Sequence, residues 1–454
     1  MIRELICVAA LAAAMPARAQ DAPALRKLLD EAAQASPELQ QARAELAAFK
    51  ARVPQAGALP DPSLSLGIQN DGFTRIAVGE METSFYSIAL TQPLPWPGKR
   101  GLREDIAGFD VRQAEARLSR AQLGLDASVR RAWLGLLLTH AQLEVLDEQD
   151  PLWLQAEQTA RSRYESGQVP QSDLLRAQLE RARLQQRRWS LEADLSERLA
   201  ELNRLRAHPL DEPVTPDARL ENLPDAVLPP EPAAQADAEA RSPELQLAEL
   251  AREQAGRRVE LSRKEKLPDF AVTAGVMPRG GLTPMWQLGV SIGLPIFSQR
   301  GRAVDESEQR RIGQAQAAEA LRQVLRLRTH QRLTALAVLN RTNQQYRKEV
   351  LVLSAAAARS TLTQYEVARV PFAAVLEALS GYSADRASFY GSVADAQLAA
   401  IAQQEVSLDA VPSSGGGSAG AMPGTSQGAP RPGAASPGAA GMEAAAPQRS
   451  TNGM

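Results

Sequence analysis

The chain has 454 residues, of which 51 are basic and 53 are acidic, for a formal net charge of −2. Because the charges nearly cancel, nothing in the composition supports a nucleic-acid partner, and we set that class of function aside. Aromatic residues make up only 4% of the sequence, which is more typical of long packed helices than of a compact mixed core.

Both ends of the chain are predicted to lie outside the folded part. Residues 1–19 have the layout of a secretory signal peptide, with an apolar run and then Ala17-Arg18-Ala19 as the cleavage site. A buried N-terminal helix is the alternative for this segment. The single cysteine, Cys7, lies in the apolar run, so the mature protein is expected to have no disulfide, thiolate site or acylated cysteine. Residues 411–454 are rich in Gly, Ala, Pro and Ser, which predicts a disordered tail.

Three sequence landmarks occur twice, in the same order and at nearly the same offset. The recurring pairs are 36–40 with 242–246, 59–61 with 267–269, and 164–170 with 365–371. This pattern predicts an internal two-fold repeat, with a first repeat at 20–206, a Pro-rich connector at 207–235 and a second repeat at 236–406.

Four segments alternate apolar and polar residues, the pattern of strands with one apolar face. They lie at about residues 62–70, 84–92, 269–277 and 286–294. Each is close to the roughly 9 to 11 residues that a tilted strand needs to cross a hydrocarbon layer. The polar faces carry Ser, Thr, Gly and Gln rather than charges, as expected for a water-filled lumen. Membrane strands are therefore favoured over soluble hairpins, which are the alternative.

Four strands are too few for a closed barrel in a bilayer. Such barrels need at least about eight strands, because an open edge in lipid leaves backbone groups unpaired. The chain is therefore predicted to borrow strand edges from copies of itself, and three copies would supply twelve strands.

A strand-to-helix elbow is predicted after the second strand. Three prolines oppose both a strand ladder and a helix, and a glycine permits a sharp change of direction. The elbow residues are Pro95, Trp96, Pro97, Gly98, Lys99 and Arg100. The next segment runs to Tyr164 with coiled-coil spacing, which predicts a helix of about 65 residues with a kink or local repacking at Pro151.

Each repeat is predicted to end in a helical hairpin. Gly167 and Pro170 stop the long helix of the first repeat, and Ser172 and Asp173 are expected to cap the return helix. In the second repeat, the segment 368–371 does the same.

Together, the signal peptide, the duplicated unit, the elbow and the tips resemble the TolC family of trimeric outer-membrane efflux proteins, over about residues 22–406. The elbow Pro95 to Arg100 is similar to that of the heavy-metal (cation) efflux members. The resemblance implies a mainly α fold with a membrane β-barrel part, in which three subunits form a 12-stranded outer-membrane barrel that continues into a 12-helix periplasmic α-barrel.

The resemblance also implies partners and localisation. A homotrimer in outer-membrane lipid, extending into the periplasm, would work with a periplasmic adaptor (a membrane fusion protein) and an inner-membrane pump of the resistance-nodulation-division type.

A gate at the periplasmic tips follows from the same resemblance. Asp173, six residues after Gly167, matches a family aspartate that lines the constricted entrance, and Tyr365 matches a tip tyrosine. Arg369 is the fourth residue assigned to the gate. The second repeat has Ala368 in place of the glycine and alanine in place of the aspartate. The sequence therefore leaves open whether the gate has one charged ring or two.

The sequence thus predicts a passive efflux conduit, with heavy-metal cations as one candidate cargo and no cofactor. A periplasmic adaptor with helical hairpins is the alternative. Adaptors usually carry one hairpin between two halves of a lipoyl-like sheet domain, whereas this chain has two hairpins.

An enzyme or a metal-binding protein has little support. His140, His208 and His330 are far apart, and no catalytic order, phosphate loop or metal-ligand spacing is present. Met277 and Met285 bracket a loop and suggest a soft-metal site, but gap-filling or exposed methionines are more common.

Overall fold

The computed structural model describes residues 23–294 and 297–410, so the predicted signal peptide and tail lie outside the described residues. Its helices are α1 (Pro23–Ala35), α2 (Pro37–Ala56), α3 (Lys99–Glu165), α4 (Gln171–Leu205), α5 (Glu231–Arg241), α6 (Pro243–Lys264), α7 (Gln299–Gln345), α8 (Leu351–Glu366) and α9 (Phe372–Glu405). Its strands are β1 (Ser63–Gln69), β2 (Phe85–Leu94), β3 (Phe270–Arg279) and β4 (Leu282–Ile292). The prediction of a mainly helical chain with a small antiparallel sheet is confirmed.

The recurring Ser-Pro-Glu-Leu motif starts a helix in each half. The Ser36 hydroxyl accepts a hydrogen bond from the Leu39 amide at 3.4 Å, and Ser242 accepts one from Leu245 at 3.2 Å. A proline follows each serine at the first helical position, where its missing amide hydrogen costs nothing. Both motifs therefore act as N-caps, for α2 and for α6.

The strands form one antiparallel sheet in the order β1-β2-β3-β4. One row of register partners across the sheet is apolar, and it consists of Leu66, Ile88, Val276 and Trp286. All four side chains are exposed, between 43% and 77%. The sheet therefore presents an apolar face that the chain itself does not cover.

The second strand is longer than its prolines suggest. The sequence places its end near residue 92, whereas Pro93 is still the register partner of Ala271 and β2 continues to Leu94. Since β1 pairs with β2 only as far as Thr91, Pro93 has a neighbouring strand on one side only, a position where proline is tolerated.

The longest element, α3, has 67 residues and passes Pro151 without interruption. At about 1.5 Å per residue it extends about 100 Å. It packs against α2, α4, α6 and α9. In the second half, a five-residue π-helical turn (Tyr346–Val350) joins α7 to α8, and α9 returns beside them. Among the described helices, none has an apolar stretch that would let it span a bilayer.

The interior is divided between two main apolar clusters. One lies where α1, the middle of α3 and the end of α9 meet, around Leu29, Val129, Trp133 and Phe389. The other lies near the turns that end α3 and α8. Its most buried members are Ala156, Ala160, Ala177, Ala358, Tyr365, Phe372 and Val375. The helical tips are thus held by their own core, separate from the first cluster.

Candidate functional site: the elbow and the helical tips

The elbow is tied to the second half of the chain by a buried lysine. Lys99 is 1% exposed. Its Nζ donates to Asp269 Oδ1 at 2.7 Å and to the Leu267 carbonyl oxygen at 2.8 Å. The same carboxylate oxygen accepts the Trp96 amide at 2.7 Å. Partial burial alone would raise the pKa of Asp269, but the hydrogen bonds from Lys99 and Trp96 hold it below its usual range.

Gly98 makes the sharp turn of the elbow possible. Its φ is +87°, and it precedes the first residue of α3. A Cβ atom at this position would lie 2.5 Å from Lys264 Nζ, which also approaches the Pro97 carbonyl oxygen at 3.5 Å. The left-handed backbone therefore favours glycine here, and a larger residue would also have to displace the flexible Lys264 side chain. Pro95 lies between the last strand residue and this turn.

Arg100 and Arg300 make equivalent contacts in the two halves. Arg100 Nε donates to the Gly57 carbonyl oxygen at 2.8 Å, just after α2. Arg300 Nη1 donates to the Glu265 carbonyl oxygen at 2.6 Å, just after α6. Each arginine satisfies a carbonyl at a helix C-terminus, and the contact fixes how each long helix leaves the sheet.

The first tip is a Schellman turn. The Gly167 amide donates to the Tyr164 carbonyl oxygen at 2.9 Å, and the Gln168 amide donates to that of Arg163 at 2.8 Å. Gly167 has a φ of +72°, the left-handed conformation that such a turn needs after a helix.

The return helix is not capped by Ser172 or Asp173, so this expectation is wrong. α4 begins at Gln171, and Pro170 is its N-cap without a side-chain hydrogen bond. Pro170 has an extended backbone, with φ −71° and ψ 155°. Because its ring fixes φ near this value, the chain is restricted to this conformation just before the helix begins. Asp173 is the third helical residue, where its charge lies close to the positive end of the helix dipole.

The second tip has the same shape although it lacks the glycine. The Ala368 amide donates to the Tyr365 carbonyl oxygen at 3.0 Å, and the Arg369 amide donates to that of Gln364 at 2.8 Å. Ala368 has a φ of +63°, which costs a residue with a Cβ atom about 1–2 kcal/mol. The replacement therefore keeps the turn at the expense of strain.

Tyr365 and Arg163 join the two tips. Tyr365 is fully buried, with Phe372 edge-on at 5.7 Å. The guanidinium of Arg163 lies 4.8 Å from the Tyr365 ring centroid, and its Nη1 donates to the Tyr365 carbonyl oxygen at 3.1 Å. Burial raises the pKa of the Tyr365 phenol; Arg163 opposes this shift and Asp173 adds to it. Arg163 was not identified from the sequence, where its only signal is a basic residue in the last turn of a helix.

The other expected gate residues lie at the same end of the molecule. Asp173 is half-buried, and Arg369 is exposed. Neither side chain forms an ion pair with another described residue. The structure thus brings Asp173, Gly167 and Tyr365 to the two tips, and leaves the charges of Asp173 and Arg369 available to other molecules.

Beside the tips, an ion pair joins α3 to α4. Arg181 Nη1 contacts Glu157 Oε2 at 2.8 Å, and Arg161 contacts the other oxygen at 3.3 Å. The hydrogen bond from Arg181 outweighs the effect of burial and lowers the pKa of the Glu157 carboxyl.

The three histidines do not form a site. His208 Nδ1 lies 2.9 Å from Glu212, and His330 Nδ1 lies 2.9 Å from Glu231. Within residues 23–294 and 297–410, no group of three His, Cys, Asp or Glu residues could hold a metal ion.

Comparison with known proteins gives a consistent result. Residues 28–208 match the family model described as outer membrane efflux protein. The nickel and cobalt resistance protein CnrC of Cupriavidus metallidurans is 25% identical over 300 residues, which are 66% of this chain and 70% of the relative.

Solved outer-membrane channels share the fold. OprN has a TM-score of 0.70 at 16% identity, covering 85% of this chain and 90% of OprN. The open state of the Neisseria gonorrhoeae MtrE channel has a TM-score of 0.68 at 18% identity, covering 85% of this chain and 89% of MtrE.

Proposed function

Since the chain belongs to the outer membrane efflux protein family, we propose that three copies form one outer-membrane conduit, in which each contributes a four-stranded sheet to a twelve-stranded barrel. The long helices of the three copies then continue the barrel into the periplasm. The family makes the protein an efflux channel rather than an enzyme, and it does not favour the adaptor alternative.

The observation that carries this proposal is the sheet with two open edges and an uncovered apolar face. β1 and β4 each have a neighbour on one side only. Apolar residues on both edge strands are more than half exposed. They are Leu64, Leu66 and Ile68 on β1, and Leu288, Val290 and Ile292 on β4. In a bilayer this face suits lipid, while the open edges would leave peptide groups unpaired unless another copy paired with them.

The equivalence of the two halves predicts how the edges meet. The contacts of Arg100 and Arg300 relate β2 to β4 by an offset of 200 residues. The recurring Leu-Pro-Asp segments at 59–61 and 267–269 relate β1 to β3 by an offset of 208. Within the chain, Ile88 pairs with Val276. Applied to two copies, the same geometry places Leu288 of one copy opposite Ile68 of the next.

This register is chemically consistent along the whole edge. It matches apolar residues with apolar ones on the lipid face. On the lumen face it pairs like with like: Gln69 with Gln287, Gly67 with Gly289, and Ser65 with Ser291. A shift by one residue would place apolar side chains on the polar face.

Disulfide trapping tests the trimer and its register. The signal peptide carries the only cysteine, Cys7, so the variant Ser65→Cys/Ser291→Cys introduces the only thiols of the mature chain. Oxidation is expected to give covalent dimers and trimers, because register partners lie within disulfide reach. The matched control Ser65→Cys/Gly289→Cys moves one thiol by two residues and is expected to crosslink poorly. Equal crosslinking of both variants, or a detergent-free monomer of the unmodified chain, would contradict the proposal.

The tips are the proposed periplasmic entrance. Three copies would place three Asp173 carboxylates around the axis, with Gly167, Tyr365 and Arg369 in the turns beside them. Like charges in a narrow opening concentrate the field on passing cations. The partners proposed for these tips are a periplasmic adaptor and an inner-membrane pump of the resistance-nodulation-division type.

The proposed cargo is heavy-metal cations, which the name of the relative CnrC supports through nickel and cobalt. The direct test of a conduit is reconstitution of the mature protein into planar bilayers. Ion conductance is expected. A trimeric preparation that stays silent, even after substitutions at the tips, would refute the conduit.

A further inference from the structure

The methionines of the described chain are concentrated at one place. The sequence has eight methionines, and only three of them, Met81, Met277 and Met285, fall between residues 23 and 410. Met81 lies between β1 and β2, while Met277 and Met285 lie on either side of the turn between β3 and β4. All three therefore lie at the end of the sheet that is remote from the elbow.

Met277 and Met285 face each other across two strands. They are register partners in the antiparallel pair of β3 and β4. Such partners point to the same face of the sheet, with Cβ atoms about 4.5–5.5 Å apart. By alternation this face also carries Thr273 and Gln287, and it is the polar face. Two flexible thioethers can therefore approach one ion from adjacent strands.

The loop that carries Met81 is held against the same turn. A Cβ atom at Gly280 would lie 2.8 Å from the Gly79 Cα, so the two backbones touch. On the other side of Met81, the Glu82 carbonyl oxygen accepts a hydrogen bond from Arg279 Nη1 at 3.3 Å. The segment that carries Met81 is thus held by contacts with residues 279–280, at the same end of the sheet as Met277.

These methionines do not fill a gap in a core. Met81 is 47% exposed, Met285 is 36% exposed and Met277 is half-buried, whereas a packing methionine is surrounded by apolar atoms. Glu80 and Glu82 flank Met81 in the sequence, and Glu80 is paired with Arg75 at 2.7 Å. The soft donors at this end of the sheet are the thioether sulfurs.

We propose that Met277 and Met285, with Met81 as a third ligand, bind a soft monovalent cation of the Cu(I) or Ag(I) class at this end of the sheet. Thioethers select such ions over Ni(II), Co(II) and Zn(II), which need imidazole, carboxylate or thiolate ligands. In the conduit the site lies on the lumen face near the exterior mouth. That placement rests on the proposed function, whereas the binding itself does not.

The test is a calorimetric titration of Ag(I) into the full mature protein in chloride-free detergent buffer. We expect saturable binding of about one ion per chain and none of Ni(II). The variant Met277→Leu/Met285→Leu keeps the side-chain volume and is expected to weaken Ag(I) binding by at least about tenfold, the loss that even outer-shell substitutions cause. Met81→Leu is expected to weaken it less, and unchanged affinity would remove Met81 from the site.

The tail offers a matched control. Met422→Leu/Met442→Leu/Met454→Leu removes three thioethers, one more than Met277→Leu/Met285→Leu, and it is expected to leave Ag(I) binding unchanged. X-ray absorption at the silver edge should show sulfur neighbours. The proposal is overturned if the unmodified protein shows no saturable Ag(I) binding, or if Met277→Leu/Met285→Leu binds Ag(I) with unchanged affinity. It is also overturned if the tail variant loses Ag(I) binding.

Bilayer conductance separates this inference from the proposed function. The Met277→Leu/Met285→Leu variant is expected to form trimers and conduct as the unmodified protein does. Conductance without any Ag(I) binding would eliminate the metal site alone. Ag(I) binding by a protein that never conducts would retain the site and eliminate the conduit.

Discussion

The guanidinium of Arg163, in the last turn of α3, lies 4.8 Å from the ring centroid of Tyr365, in the last turn of α8. Arg163 also donates to the Tyr365 main-chain carbonyl oxygen at 3.1 Å. One side chain from the first hairpin thus holds both the ring and the backbone of the second. Any movement that separates the tips must break this contact.

Replacing Arg163 with lysine should therefore loosen the tips. Lysine keeps the charge but loses the planar group that stacks and hydrogen-bonds at once. We expect a loss of about 1–2 kcal/mol in stability and a higher open probability in single-channel recordings. Arg359→Lys, at an exposed position of α8, is the control and should change neither. Equal behaviour of the two variants would show that Arg163 does not hold the tips together.

Substitutions in the two tip turns are predicted to change the stability of the protein in opposite directions. Gly167→Ala places a Cβ atom on a residue at φ +72°, and Ala368→Gly removes one at φ +63°. We expect the first to destabilise the protein and the second to stabilise it, each by about 1 kcal/mol. Thermal unfolding of the detergent-solubilised protein measures both. Changes of the same sign in the two variants would contradict the strain at Ala368.

Asp173 is predicted to control ion selectivity rather than stability. As the third residue of α4 it interacts with the positive end of the helix dipole, so Asp173→Ala should lower stability by no more than about 1 kcal/mol. Loss of its charge from a narrow ring should reduce the preference for cations by about two- to tenfold. Asp173→Asn keeps the shape and should give the same loss of selectivity. Unchanged selectivity in both variants would remove Asp173 from the entrance.

The sequence predicted local features well and long-range contacts poorly. Strand alternation and the mainly helical composition are properties of neighbouring residues, so periodicity rules can find them. The serine N-caps of α2 and α6 were not predicted, and the cap predicted at Ser172 or Asp173 was wrong. The partner of Lys99 is Asp269, 170 residues away, and that of Arg163 is Tyr365, 202 residues away. Such pairs depend on how the two halves pack. The left-handed Ala368 was missed because alanine disfavours that conformation.

The ion pair between Glu157 and Arg181 predicts a pH dependence of the tips. Because the Arg181 hydrogen bond lowers the pKa of Glu157 in the folded protein, its stabilisation is present above the unfolded pKa of about 4.5 and is lost as the pH falls through the lower folded value. Glu157→Gln should cost about 1–3 kcal/mol at pH 7 and progressively less below pH 4.5. Chemical unfolding of both proteins at several pH values measures this. A difference between them that does not shrink in acid would refute the pair.

The buried Lys99 predicts that the elbow couples the sheet to both halves of the chain. Lys99→Met keeps the aliphatic stem and removes the charge, so Asp269 loses its cation while the Trp96 amide still donates to it. Because the Asp269 side chain is 50% exposed, water can partly replace the lysine, and we expect a loss of about 1–3 kcal/mol rather than that of a fully buried pair. Gln299→Met changes the equivalent residue of the second half, which is exposed and uncharged, and should cost less. Chemical unfolding of the two variants measures the two losses in stability. Equal losses would mean that the Lys99 charge contributes nothing to the elbow.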